Sequence, residues 1–510
     1  MRSGQTSLLL YFILFRESTN TTDTPLFRFR FLHPLQSLQM GLVSALRTVL
    51  IGTTTLCIST LPALCLAQSV DPQNNVDPIS RDICIVGGGS SGIYSAIRLL
   101  DMGKSVIVVE KKNHLGGNTE TYIDPVTGAP INIGVVVWHN NSLVTSYFAR
   151  LNVPLTPISF SGSPIITKYA DFDTGQILST YSPPDPTLAL QTYVAQLFQY
   201  PYLDNGFDLP DPVPSDLLLP FGDFVTKYNI ANALDIILSI TQGIGNLLEV
   251  PTIYVMKLFG LSIVDGLQNG FLTTASHDNS QLYQSAQTVL TAANGLLLNS
   301  HVVSTVRDNS GAQITVSTPA GQKLINCNKI VLGIPPTVQN LVPFDFNGTE
   351  LSLFQQFSTT GYYSGLLRNS GIPDNISINN IGSQTPYNLP DLPGLYAILA
   401  TGVPGLHQVL YGSSTSLPDE RVKQDILKSV KKLQSAGTIP VTTEPEFAVF
   451  SSHSPHEFTV TSKDIKNGFY KKLNALQGER RLFFTGGTFA AQDSSLIWQF
   501  TETLLSRIIA

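Results

Sequence analysis

One stretch limits the fold more than any other. Ile83-Cys84-Ile85-Val86 runs apolar into Gly87-Gly88-Gly89-Ser90-Ser91-Gly92, a G-x-G-x-x-G turn. A helix-like segment over 93–102 stops at Gly103, and a second apolar run, Val106-Ile107-Val108-Val109, ends on Glu110. Together these make a βαβ dinucleotide-binding pattern. Gly87 serves the tight turn, and Gly89 lets the backbone approach a pyrophosphate. Gly92 lets the helix close on the strand. Ser90 and Ser91 open a helix whose N-terminal N–H groups suit an anion. Glu110, eighteen residues after Gly92, is placed to accept from ribose hydroxyls. The unit by itself leaves open which dinucleotide is bound.

At 510 residues the chain has room for roughly two to four domains. A hydrophobic content of 43% supports a large core. The net charge of -6 comes without a basic block, which argues against nucleic acid as a partner. No internal repeat recurs at a fixed period.

The N-terminus reads as a leader. Residues 1–39 contain a short apolar run, 7–15, and then polar and Arg-containing sequence. Met40 opens a second pattern: Arg47, an apolar run over 48–61, and Cys65-Leu66-Ala67 as a small-x-small cleavage site. The expectation is a secretory signal peptide with translation starting at Met40 and a mature chain from Gln68. At about fourteen residues the run is too short for a stable membrane span. Scarce acids between Asp23 and Asp71, beside Arg28, Arg30 and Arg47, leave a mitochondrial transit peptide as the alternative. Cys57 and Cys65 belong to the leader. Cys84 and Cys327 fall in expected buried strands, where a free thiol behaves as a small apolar group, so no disulfide is expected. Sequons at Asn140, Asn347 and Asn375 could carry glycans in a secreted chain, with Asn140 expected bare because it follows a segment near the dinucleotide.

After the βαβ unit come Lys111-Lys112, Gly116-Gly117-Asn118-Thr119, and then Ile131-Asn132-Ile133-Gly134 before Trp138-His139. Over 142–271 a Pro-rich passage with helical spacing at 188–198 and 231–240 reads as an inserted, partly helical domain. A helix over 284–293 leads to strands 302–306 and 313–317, joined through Asn309-Ser310-Gly311. A buried strand, 330–334, is stopped by Pro335-Pro336. A second insertion over 337–478 holds strand-like 396–399 and 408–411 and ends in a helix over 463–476, with Thr461 or Ser462 as N-cap. Leu482-Phe483-Phe484-Thr485-Gly486-Gly487 then precedes a final helix over 494–509.

This order of parts resembles the flavin-containing amine oxidase superfamily, and the run 82–140 is most similar to its fungal β-cyclopiazonate dehydrogenase group. The resemblance covers 81–510, although only the three cofactor-facing segments carry motifs. It implies an α/β fold of amine oxidase type: a discontinuous Rossmann-like FAD-binding domain with an interleaved α+β substrate domain. The expected boundaries are 1–67 leader, 68–80 linker, 81–135, 290–338 and 480–510 for the FAD-binding domain, and 136–289 and 339–479 for the substrate domain. It further implies extended FAD with Gly87, Gly89 and Gly92 at the pyrophosphate and Glu110 at the ribose. Lys111 and Lys112 would lie near the adenosine, with the backbone of Val303 at the adenine. Gly116, Gly117, Asn118 and Thr119 would lie beside the phosphates. Gly486, Gly487 and Ser495, where the last helix opens, would lie near the ribityl chain and the flavin O2 edge, where helix N–H groups can stabilise negative charge.

Two positions depart from the family pattern. Asn118 stands where the family often has Arg, and Gly487 stands where it usually has Asp or Glu. No cysteine matches the monoamine oxidases' flavin attachment, so a cysteinyl flavin is not expected.

Chemistry of this kind needs a dry, aromatic-walled pocket more than it needs acid–base groups. His139, Trp138 and Trp498 are the catalytic or pocket candidates, with Tyr362, Tyr363, Tyr396 and Tyr411 behind them; each has an ordinary alternative as core. His453-x-x-His456 lies in Ser/Pro-rich sequence without a Cys or carboxylate cluster, so an exposed loop is expected and no metal site. There is no G-x-S-x-G and no second G-x-G-x-x-G. Three readings stand. The first is an FAD-dependent oxidase or dehydrogenase of an amine or indole-type molecule, reoxidised by dioxygen or another acceptor. The second is an NAD(P)-dependent dehydrogenase. The third is a catalytically silent binding protein on the flavin scaffold, such as the Rab GDP-dissociation inhibitors resemble.

Overall fold

The structure is a computed structural model that describes residues 78–158, 165–441 and 444–510. The leader and most of the expected linker lie outside the described residues, and the first strand begins at Ile79, inside that linker's last residues. The strand Ile79–Val86 is buried toward its end and pairs in parallel with Val106–Val109 on one side and Gly321–Leu332 on the other. Cys84 stands opposite Ile107 and Ile330, and both Cys84 and Cys327 are free and buried. Such near-continuous apolar strands are what a sheet covered on both faces demands.

This first sheet runs in the order Leu296–Leu297, Val106–Val109, Ile79–Val86, Gly321–Leu332, Ala312–Thr318, His301–Arg307. The short strand Leu482–Phe484 pairs in parallel with the end of Gly321–Leu332. Three well-separated stretches of chain therefore build one sheet. The helices Ser90–Asp101 and Ser494–Ile509 pack together beside it. Their contact is specific: Tyr94 OH donates to Glu502 at 2.7 Å, Arg98 Nε pairs with the same carboxylate at 2.5 Å, and the rings of Tyr94 and Trp498 stack at 5.4 Å.

A second sheet follows the order Glu446–Ser452, Gly361–Arg368, His407–Ser413, Gly394–Ala400, Ile376–Asn380, Ile166–Asp171, Gln176–Ile177. It is covered by the helix Asp419–Ser435, whose Val422, Ile426, Val430 and Leu433 are buried with Tyr363, Ile378 and Tyr411. That helix was not anticipated. The expected helix over 463–476 is two, Ser462–Lys466 and Phe469–Ala475, because Gly468 takes a left-handed φ of +77° between them. The segment 231–240 is likewise a 3-10 turn, Ala231–Ala233, running into the helix Leu234–Ile240. Among the described residues no helix is long and apolar enough to cross a membrane.

Candidate functional site

The two glycine turns lie on each other, backbone to backbone. Gly116 N donates to Gly88 O at 2.9 Å, and a Cβ on Gly117 would come within 2.9 Å of Gly89 Cα. Gly92 tolerates no side chain at all, since its Cβ would fall 2.0 Å from Gly87 O. Gly87 has a φ of +105°, and a Cβ there would meet Ile334 and Gly333 O. A Cβ on Gly89, by contrast, would meet only Gly117 Cα, at 3.7 Å, so there is room for a ligand to approach its backbone. The helix Ser90–Asp101 starts at Gly89 with no side chain capping it, which leaves its N-terminus available to an anion.

These turns form one side of a cleft of about 390 Å³. Gly89, Ser90, Ser91, Gly116, Gly117, Asn118, Thr119, Gly486 and Gly487 all line it. Ser90 Oγ donates to Ser494 Oγ at 3.0 Å and accepts from Trp498 Nε1 at 2.9 Å, tying the first helix to the last. Glu110 is buried behind the turn, its Oε2 accepting from Gly88 N at 2.6 Å and Oε1 from Lys112 N at 2.7 Å. Lys112 Nζ reaches Glu120 at 2.6 Å and Gly117 O at 3.3 Å, whereas Lys111 is exposed. The hydroxyl of Thr119, a lining residue, is buried without a partner. A cradle of bare backbone, an uncapped helix and an unpaired hydroxyl fit a phosphate-bearing dinucleotide such as FAD.

The opposite walls come from both insertions: Gln242, Ile263 and Phe271 from the first, and Tyr362, His453, His456 and Phe458 from the second. His453-x-x-His456 is therefore not the exposed loop its composition suggested. His453 is buried and His456 partly so, because Gln492 Nε2 grips His456 O at 2.5 Å and the His456 ring packs on Gly243. Among the described residues no group of three His, Cys, Asp or Glu could hold a metal ion.

Several expected positions lie elsewhere. Val303 is 42% exposed at a bulge in His301–Arg307 and does not line the cleft; the bulge leaves its neighbour Val302 buried instead. Trp138 and Trp498 are fully buried behind the wall, their rings 6.5 Å apart in a stack with Tyr94 and Phe148 as neighbours, so they are core. Tyr363 and Tyr411 belong to the core of the second sheet, and Tyr396 is buried with its OH accepting from Gly243 N at 3.2 Å. Of the four tyrosines, Tyr362 alone lines the cleft. Ser495 sits one step back, its Oγ accepting from His139 N at 3.1 Å.

His139 is also off the cleft surface, but its Nε2 lies 3.1 Å from Asp493 Oδ2, which does line it. The two are close enough for an ion pair without good hydrogen-bond direction. Burial alone would lower the imidazole, yet the facing carboxylate outweighs it and raises His139 above its ordinary value. Burial would raise Asp493, but the His139 charge and the N–H groups of Leu496 and Ser495 hold it below the usual carboxylate range. Asp493 also caps the final helix, accepting from Ser495 N at 2.7 Å and Leu496 N at 3.0 Å. Asp before Ser494-Ser495 is an N-cap signal the sequence did carry. The missing carboxylate at Gly487 has a structural counterpart: a Cβ there would fall 2.4 Å from Gln492 Oε1, so the Gln492 amide fills that space.

Comparison with known proteins decides among the readings. The chain is 44% identical over 449 residues to the FAD-dependent oxidoreductase oblC of Cochliobolus heterostrophus, covering 85% of this chain and 92% of that protein. It is 33% identical over 455 residues to the β-cyclopiazonate dehydrogenase of Aspergillus oryzae, covering 88% and 97%. The chain belongs to this family of fungal FAD-dependent oxidoreductases. Residues 85–151 match the model of the NAD(P)-binding Rossmann-like domain. Among solved structures it is similar to a CLA-producing fatty acid isomerase from P. acnes, with a TM-score of 0.67 and 19% identity over 84% of this chain and 99% of that one. Putrescine oxidase bound to putrescine gives a TM-score of 0.59 and 16% identity over 85% and 99%. These two show the shared fold, which is of amine oxidase type. The cofactor is FAD and the protein an oxidoreductase, which sets aside the nicotinamide-dependent and silent-scaffold readings.

Proposed function

We propose that this oxidoreductase removes a hydride from a carbon next to nitrogen, or from another activated C–H, of an amine or indole-type small molecule in secondary metabolism. The observation that carries the reading is the two-sided cleft, with bare glycine backbone on one side and aromatic and imidazole side chains on the other. Bound FAD supplies the hydride acceptor, and dioxygen or another acceptor takes the electrons onward. The protein's part is to orient the carbon and keep water out. Phe271, Tyr362 and Phe458 offer flat apolar faces for a ring, and Asp493 fixes the N-terminus of the final helix at the cleft. The putrescine-bound neighbour, which shares the fold, is the reason to include amines among the substrates tested.

The test is the visible spectrum of protein expressed from Gln68, before and after acid precipitation, followed by an anaerobic screen of amines and indoles. Flavin released to the supernatant and bleached by a member of the screen supports the reading. Colour left in the pellet would mean a covalent flavin. Absence of flavin even after adding FAD would sink the proposal. We also infer that the chain enters the secretory pathway through its 40–67 leader. The sequons Asn347 and Asn375 are exposed, as glycosylation requires, and Asn140, expected bare, is exposed as well. N-terminal sequencing of secreted protein should begin near Gln68, and an intact leader would refute this.

A further inference from the structure

The His453–His456 turn forms part of the cleft wall that faces the glycine turns. His453 Nε2 is shut off from solvent and meets no protein partner, and His456 Nδ1 is enclosed without a well-aligned one, the His453 carbonyl lying near that ring; both residues line the cleft. Buried polar atoms left without a well-aligned partner are costly and rare, so two in one wall ask for a partner from outside the chain. The turn itself is held firmly. His453 N donates to Tyr362 O and His456 N to Thr360 O, each at 2.9 Å, and Gln492 holds the His456 carbonyl. From the other insertion Gly243, with a φ of +88°, lies so close that a Cβ would come 2.5 Å from His456 Cδ2. The Tyr362 ring completes the group, 5.9 Å from His453 and 5.1 Å from His456.

Charge narrows what this wall can bind. Burial lowers His453 to about 4, against the attraction of Glu120, and lowers His456 to about 3, so both rings are neutral near pH 7. Asp493 is the one carboxylate among the described lining residues, and it is engaged by His139 and two helix N–H groups. An ammonium brought here would find no free counter-charge, and desolvating it would be unfavourable. A neutral imidazole offers one acceptor nitrogen, which suits an N–H or O–H donor.

We propose that His453 and His456 recognise the polar end of the substrate as a pair of hydrogen-bonding imidazoles, and that this end is an uncharged N–H or O–H donor, as in an indole, and not an ammonium. The proposal rests on the cleft being the substrate site, and it makes the two histidines determinants of substrate class within the function proposed above.

Calorimetric titration of the FAD-loaded protein with indole, N-methylindole and putrescine tests it. One hydrogen bond lost on methylation should make indole bind about tenfold tighter than N-methylindole. That preference should fall below about twofold in His453→Phe or His456→Phe, with flavin content unchanged. If a Phe variant does not fold, His453→Gln and His456→Gln, which keep a polar group, should restore part of the preference. The proposal is overturned if wild type binds none of the three probes, if N-methylindole binds as tightly as indole, or if putrescine binds tighter than indole. It is equally overturned if both variants keep the wild-type preference. Binding is read without turnover, so flavin that no amine or indole reduces would sink the oxidation reading alone.

Discussion

Glu457 offers a quantitative test of how dry the cleft wall is. It lies between His456 and Phe458, both lining residues, is 4% exposed, and its Oε2 meets no partner. Burial pushes its carboxyl up to about 8, against the pull of Lys257 and of the Phe458 N–H. An acid whose folded value is raised holds its proton more tightly in the folded state. Its contribution to stability is therefore full below the unfolded value and is lost as pH rises toward the folded one. From the ordinary 4.5 to about 8, at about 1.4 kcal/mol per pH unit, the loss has an upper limit of about 4–5 kcal/mol. Glu457→Gln keeps the shape and cannot ionise. Variant and wild type should melt together below about pH 5, and the variant should gain as pH rises to about 9. With an unfolding entropy of about 2.1 cal/mol/K per residue over about 430 folded residues, the gain reaches roughly 5 °C. Lys257 titrates nearby, lowered by burial to about 7 while its Nζ donates to Gly206 O at 3.0 Å and to Leu203 O. Its depressed value makes stability rise with pH between about 7 and 10.5 in both proteins, so most of that trend cancels in the difference between them, which keeps only the Glu457–Lys257 attraction the variant lacks. Scanning calorimetry across the pH range gives it. A melting difference that stays flat with pH, or a variant that melts lower than wild type at about pH 9, would refute the assignment of Glu457 as a buried acid that keeps its proton in the folded state.

Three further outcomes follow from the cofactor side. Gly92→Ala places a methyl against Gly87 O, so the turn must open, and the flavin-to-protein absorbance ratio should fall below about a tenth of wild type. Gly487→Asp, which restores the family's usual carboxylate, should lower flavin content because Gln492 occupies its space, whereas Gly487→Asp with Gln492→Ala should recover it. Asp493→Asn removes the partner that raises His139. That stabilisation is full below about pH 6.5 and is lost as pH climbs through the raised folded value, while the Asp493 share fades on acidifying below about 4. The melting difference between wild type and variant should thus be largest between about pH 4 and 6.5 and shrink above it, on top of a loss of up to about 1 kcal/mol from removing negative charge at the helix N-terminus, since Asn caps as well as Asp.

What could be read in the sequence and what could not divide along a physical line. The demands that made Gly92 and the Gly116-Gly117 pair legible are local: a turn, a left-handed φ, a close backbone approach. They leave a trace at the residue itself. The helix Asp419–Ser435 left a trace too, in Pro418, an acidic first turn and apolar residues at Val422, Ile426 and Val430, but that stripe is narrow and set among many charges. Val303 was placed by resemblance alone, and the bulge beside it, which turns its side chain outward, has no local signature in the sequence. Trp138 and Trp498 could equally have been wall or core, and their complete burial and mutual stacking decide it. His453 and His456 are the opposite extreme. Their sequence reads as a polar loop, and they are buried because Gly243, Thr360, Tyr362 and Gln492, scattered across the chain, close around them. A substrate wall assembled from two insertions carries little local signature, since no single segment contains the contacts that fix it. The same glycine cradle can therefore be inherited while the facing wall changes, so resemblance carries the flavin to this chain far more securely than it carries a substrate. For that reason the indole and N-methylindole comparison discriminates where further sequence likeness would not: it probes the wall that non-local packing made.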